Sequence, residues 1–321
     1  MFPYLDVPLL QVLIYWLIKS KTGRFMDLER QNVVRFVLYW QICRGDAASR
    51  QEASKKAIAF LATCKVGESF PAFELYRLLS HAKDGLPSLF CEMVVPPESV
   101  ECSARLLHPD ERAEAYFGLV GSLYKRFSGR RHLLIWFQRS WITDQCRQDG
   151  EFPWFNPLAG QDEDNVPYDY DHLVPQSNWA DLQSINCQDD QKENYKTFTT
   201  LHSRRALGNS IGNYRLFSAS GNRSRRDMSL EALFKNDSPL LNWKEFAFDD
   251  SPENRKLWSA ASPVEKSFMW SSDRMMAFQK CVESRLLFLY RRLYEEADFA
   301  AWELALPHLL SADSTADKVI V

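Results

Sequence analysis

The sequence predicts a mainly α fold with a small α+β part, and three observations carry that expectation. Apolar residues recur at helical spacing through most of the first 148 residues. Two short strand candidates, one carrying Asp171-His172 and ended by Pro175 and one at Tyr214–Phe217, stand far apart in the chain. Met275, Phe278, Val282, Leu286, Leu289 and Leu293 then step by three or four, as one long amphipathic helix does.

Taken in order, Val7 to Ile18 is apolar but shorter than a bilayer-spanning helix, contains Gln11 and follows no basic leader. It reads as a buried helix, so neither a membrane partner nor a signal peptide is expected. Val33, Val34, Val37, Leu38 and Ile42 mark a second helix, and Ala57, Ile58, Phe60, Leu61 and Cys64 a third. Leu75 to Leu79 and Ala113 to Phe127 behave alike, with Gly23, Gly45, Gly67, Gly85 and Gly129 as terminators and Pro109-Asp110-Glu111 as a first helical turn. Leu133 to Ile142 is a further helix, whose Trp136, Phe137 and Trp141 take the spacing of a buried face. Residues 150–165, with Pro153, Pro157, Gly160 and an acidic run, form an irregular connection, and Asp249 to Asn254 reads as a loop. Trp302 and Leu304 continue the packing, and the tail from Ser311 is polar. Composition and texture together divide the chain into a helical domain (1–148), a compact motif region (149–240) and a C-terminal helical region (241–321) with a flexible tail.

At 321 residues, with 45% apolar, 25% charged and 13% aromatic residues, this is an ordinary folded protein of two or three packed units. A net charge of −3 gives no global attraction to nucleic acid, so such affinity has to come from local clustering. Seven scattered cysteines without a Cys-x-x-Cys pair argue against a zinc knuckle or a disulfide framework and fit a reducing cytoplasm. No Gly-rich phosphate loop and no internal repeat is present.

The chemistry is concentrated between Tyr168 and Arg226. Asp171 is a hard oxygen ligand suited to Mg²⁺ or Mn²⁺. Its neighbour His172 is largely neutral at pH 7 and can take a proton from water. Adjacent strand residues point to opposite faces, so a bulge or turn is needed to bring both into one cleft. Asn213, just before the second strand, is placed to hydrogen-bond the loop carrying His172, and Gly221-Asn222 begins a polar turn or helix with an amide oxygen for the metal. Between Tyr195 and Arg226 stand seven basic residues (Lys196, Arg204, Arg205, Arg215, Arg223, Arg225 and Arg226) and no acidic one, as a phosphate-binding surface requires. Two or three of these arginines are expected to be structural, and Asp169 reads either as an acid that supports a metal ligand from behind or as a solvated loop acid, with the latter favoured.

Asp171-His172-Leu173-Val174-Pro175-Gln176-Ser177, with Asn213 and Asn222 nine residues apart, resembles the HNH, or ββα-metal, endonuclease motif, close to its form in RNA-guided CRISPR effector nucleases. The resemblance implies a ββα fold around one divalent ion, Mg²⁺ or Mn²⁺. It makes Asp171 and Asn222 the metal ligands, His172 the general base and Asn213 the residue that holds the base loop. It sets Arg225 where a basic residue approaches the nucleic-acid backbone. The 41 residues from His172 to Asn213 exceed a minimal hairpin, so an insertion containing a helix is expected, and His202 within it has no assigned role. The segment His132 to Arg139 and the run 207–213 extend the likeness to the effector half of GmrSD-type modification-dependent restriction proteins. The sensor-half signature Asp-Gly-Gln-Gln-Arg is absent, which implies a sensor or NTPase partner subunit, or an N-terminal sensor domain in a longer chain.

The expected activity is thus DNA cleavage in bacterial anti-phage defence: nicking, or double-strand cleavage by dimerisation or paired nicks. The alternatives are a non-catalytic nucleic-acid-binding or scaffold subunit, and cleavage of RNA.

Overall fold

The computed structural model describes residues 6–80, 127–149, 168–179, 207–238, 251–264 and 272–302, apart from positions 22, 23, 26, 44, 128, 148 and 237. The described residues are mainly helical with one two-stranded antiparallel sheet. No helix among them is long and apolar enough to cross a membrane. Contacts divide the chain into two compact units, one of residues 127–290 (with Met1) and one of residues 2–126 and 291–321. The three-part division above follows composition; these units follow contacts.

The described residues of the second unit include the helices α1 (Val7–Ser20), α2 (Asp27–Cys43), α3 (Ala47–Thr63) and α4 (Ala72–Ser80). Asp6 caps α1 by accepting from the Leu9 amide at 2.9 Å, and Asp46 caps α3 from Ser49 at 2.8 Å. The core is aromatic. Phe70 meets Trp16 and Phe36 edge-on, and Trp302 stacks on Tyr76 with centroids 4.8 Å apart. Buried Arg35 ties α2 to residues near the end of the chain, donating to the Ala297 carbonyl and pairing with Asp298 at 2.7 Å. The expectation of a buried first helix holds for one face only. Leu9, Val12, Leu13 and Trp16 are buried, but Val7, Ile14 and Ile18 on the other side are more than half exposed.

In the first unit, the single helix expected over Leu133–Ile142 is broken. A 3-10 turn at Arg131–Leu133 leads into α5 (Leu134–Phe137), and α6 (Arg139–Gln145) follows. The residue between them, Gln138, is buried, and its side chain serves the sheet instead. The strands are β1 (Tyr168–His172) and β2 (Tyr214–Ser218), followed by α7 (Ala219–Arg225), α8 (Leu230–Lys235) and α9 (Pro252–Ala261). Residues 252–254, expected in a loop, form the first turn of α9, because Ser251 caps it and Pro252 suits its first position. The long helix appears as α10 (Ser272–Glu296). The expectations for 113–126, 150–165, the helix between 180 and 206, Leu304 and the tail lie outside the described residues.

Candidate active site

β1 reads Tyr-Asp-Tyr-Asp-His and pairs antiparallel with β2 so that Asp171 faces Arg215, His172 faces Tyr214 and Asp169 faces Phe217. The period of two sorts these residues onto two faces: Asp169, Asp171, Arg215 and Phe217 on one, Tyr170, His172 and Tyr214 on the other. Ser218 ends β2 and at once caps α7, its hydroxyl accepting from the Gly221 amide at 3.1 Å. Gly221 permits the close approach of helix to strand, since a Cβ there would lie 2.5 Å from the Phe217 ring. The helix therefore starts before Gly221-Asn222, and its turn sets Asn222 and Arg225 over the Asp171 face.

Asp171 is buried, and its Oδ2 accepts from the Arg215 Nε at 2.8 Å and from the Arg225 guanidinium. Arg225 also donates to the carbonyls of His172 and Leu173, strapping the end of β1 to the helix. The Arg215 guanidinium lies 3.8 Å from the centroid of the Phe217 ring. The reading of Arg215 and Arg225 as nucleic-acid contacts is corrected: both are fully buried, as internal partners of a buried carboxylate. Asp169, read as a loop acid, belongs to β1 and accepts from the Asn222 amide at 3.2 Å.

Asn213 is fully buried behind the strand end. Its Oδ1 accepts from the Val174 amide at 2.9 Å, and its Nδ2 donates to the carbonyls of Gly208 and Val174. Its own carbonyl accepts from the Leu173 amide at 2.8 Å. The turn 211–213 is held from α10, where buried Arg285 donates to the Ile211 carbonyl at 2.7 Å. Burial, reinforced by the nearby Arg215 charge, pushes the Arg285 pKa down to about 9, which leaves it charged at neutral pH.

His172 is the last residue of β1. Its Nε2 lies 3.4 Å from Asn209 Oδ1, and its ring packs 4.2 Å from that of Tyr214 and 5.4 Å from that of Trp179. Burial pushes its pKa below the usual imidazole value; Asn209 and Asp171 oppose this, while Arg225 and Arg131 add to it. A neutral imidazole able to accept a proton follows.

No bulge interrupts β1, and Asp171 and His172 do hydrogen-bond on opposite sides, yet both edge one cavity of about 250 Å³ because the strand ends there. Asn222 and Arg226 line it as well, with Gln176 and Ser177 from the following turn. Among the expected residues, Asp171, His172 and Asn222 are thus brought together, and Asn213 supports them from behind. Arg226 is exposed at the rim, held in a left-handed backbone conformation (φ 50°), and Arg223 is exposed on α7. Arg204, Arg205, Lys196 and His202 lie outside the described residues.

No group of three or more His, Cys, Asp or Glu among the described residues is arranged to hold a metal ion. The donors facing the cavity are of another kind. Asp171 Oδ1 and Asn222 Oδ1 accept no hydrogen bond from any described residue, and both belong to side chains that line the cavity. One carboxylate and one amide oxygen are hard ligands that suit Mg²⁺ or Mn²⁺, ions that keep several waters or phosphate oxygens in their remaining positions.

Sequence reasoning missed Asn209 and Arg131. Asn209 stands four residues before Asn213, in a run noted only for its texture. Arg131 reaches the site through its stacking on Tyr170, with its Cζ 4.8 Å from the ring centroid, and nothing local in the sequence marks it. No protein-family model, curated protein or solved structure matches this chain.

Proposed function

We propose that this chain is a metal-dependent endonuclease of the HNH, or ββα-metal, type acting on DNA. The observation that carries the reading is the shared cavity of Asp171, His172 and Asn222, with Asn213 tying down the loop after the base. Neutral His172 takes a proton from water, and the resulting nucleophile attacks phosphorus in line with the leaving 3′ oxygen. Asp171 and Asn222 would hold a Mg²⁺ or Mn²⁺ ion, which supplies charge stabilisation at the phosphoryl centre. Arg226 at the rim contacts a phosphate beside the scissile one. A single centre cuts one strand, so nicking is the primary product, and double-strand cleavage needs dimerisation or paired nicks. The likeness to restriction effectors, which is one of sequence texture, suggests anti-phage defence with a sensor or NTPase partner.

One observation favours a second reading, a non-catalytic nucleic-acid-binding or scaffold subunit. Asp171 is already compensated by two guanidinium groups, which lowers its attraction for a cation. Plasmid cleavage separates the two. The wild-type protein is expected to nick supercoiled DNA in Mg²⁺ or Mn²⁺ and to stop when a chelator is added. His172→Ala is expected to lose cleavage by orders of magnitude while keeping its circular-dichroism spectrum. A His172→Ala protein that nicks like wild type would falsify the assignment, and DNA binding without any metal-dependent cleavage would favour the scaffold. RNA and modified DNA, run in the same assay, define the substrate.

A further inference from the structure

Three side chains outside the motif form a chain of contacts that ends on His172. Tyr214 is the register partner of His172, and its phenol donates to Asn209 Oδ1 at 2.9 Å. The same oxygen lies 3.4 Å from His172 Nε2. On the other side of the phenol stands the Arg131 guanidinium, with its Cζ 5.9 Å from the ring centroid.

The polarity of this chain is set by the Asn209 amide oxygen that Tyr214 and His172 share. The Tyr214 hydroxyl donates its hydrogen to the Asn209 amide oxygen. An amide oxygen only accepts, so the hydrogen between it and His172 sits on Nε2. A neutral imidazole with its hydrogen on Nε2 has its lone pair on Nδ1. Contacts of this kind are often long before substrate binds and tighten afterwards, in keeping with 3.4 Å.

We infer that Asn209 is a positioning residue for His172, holding the imidazole in the Nε2–H tautomer so that Nδ1 is the base nitrogen. Tyr214 acts through Asn209 by orienting its amide. The catalytic consequence rests on the nuclease reading; the tautomer does not. Asn209 is exposed in a turn, so its replacement leaves the core intact.

The test uses the full chain labelled with ¹⁵N-histidine, with the His172 signals assigned by their loss in His172→Ala. Wild type is expected to show the Nε2–H tautomer, and Asn209→Ala a mixture of both. In Mg²⁺-dependent plasmid nicking, Asn209→Ala is expected to lose about 10- to 100-fold in kcat with KM within about twofold. Asn209→Asp, which keeps an acceptor oxygen in place, is expected to restore the Nε2–H form and most of the rate. An Nδ1–H tautomer in wild type, or an unchanged tautomer in Asn209→Ala, overturns the inference. Tautomer responses as expected in a protein that never nicks would uphold the positioning role and overturn the nuclease reading instead.

Discussion

Asp171 has two kinds of partner competing for it. One oxygen is committed to Arg215 and Arg225 inside the protein, and the other belongs to a side chain on the cavity wall. The committed half is a structural element of some consequence, because an ion pair taken out of water costs heavily when one member is removed. Arg225→Ala would leave the carboxylate short of a donor and would strand the carbonyls of His172 and Leu173. We expect a loss of about 3–5 kcal/mol in urea denaturation, with cleavage falling as the strand end loosens. Arg226→Ala, on the exposed rim, is expected to change stability by less than about 0.5 kcal/mol. Equal effects of the two substitutions would contradict the assignment of one arginine to the interior and the other to the surface. A count of charges along the chain cannot make that distinction. Seven basic residues without an acid read as a surface, and it takes the register that sets Arg215 opposite Asp171 and the turn of α7 that carries Arg225 to the same carboxylate to bring two of them inward.

At the level of elements, what was legible in the sequence was whatever a local pattern determines. The strands at His172 and at Tyr214, the helix carrying Met275 to Leu293 and the tie from Asn213 to the base loop all follow from spacing and residue type. What was not legible is how the break at Gln138 serves the sheet. Its side-chain amide donates to the Leu216 carbonyl at 2.9 Å and accepts from the Leu216 amide at 2.7 Å. A primary amide has the donor and acceptor that a neighbouring strand would present, so Gln138 acts as a one-residue third strand on the outer side of β2. A helical pattern of Leu, Ile, Trp and Phe conceals this, since the demand comes from a strand 78 residues away. Gln138→Leu keeps the bulk but leaves two buried backbone groups unpaired, at about 1–3 kcal/mol each. We expect a stability loss of about 2–4 kcal/mol by urea denaturation, and a smaller one for Gln138→Glu, which keeps the acceptor. A Gln138→Leu protein as stable as wild type would show that Leu216 finds other partners.

For the molecule as a whole, a net charge of −3 sets the terms on which DNA, the substrate proposed above, can be approached. The long-range field repels a polyanion slightly, so binding has to come from a few cations within a Debye length of the backbone. With Arg215 and Arg225 buried, the cations exposed around the described site are Arg131, beside Tyr170, and Arg223 and Arg226 on or just after α7. Each phosphate neutralised contributes about −0.9 to the slope of log K against log salt concentration, so three contacts predict a slope of about −3. That is shallow for a DNA-binding protein. Fluorescence anisotropy with a labelled duplex in Ca²⁺, with salt raised stepwise, measures the slope directly. Arg226→Ala should flatten it by about one unit and weaken binding to all sequences alike. A slope near zero, or one unmoved by that substitution, would mean that the cavity rim does not face the DNA backbone.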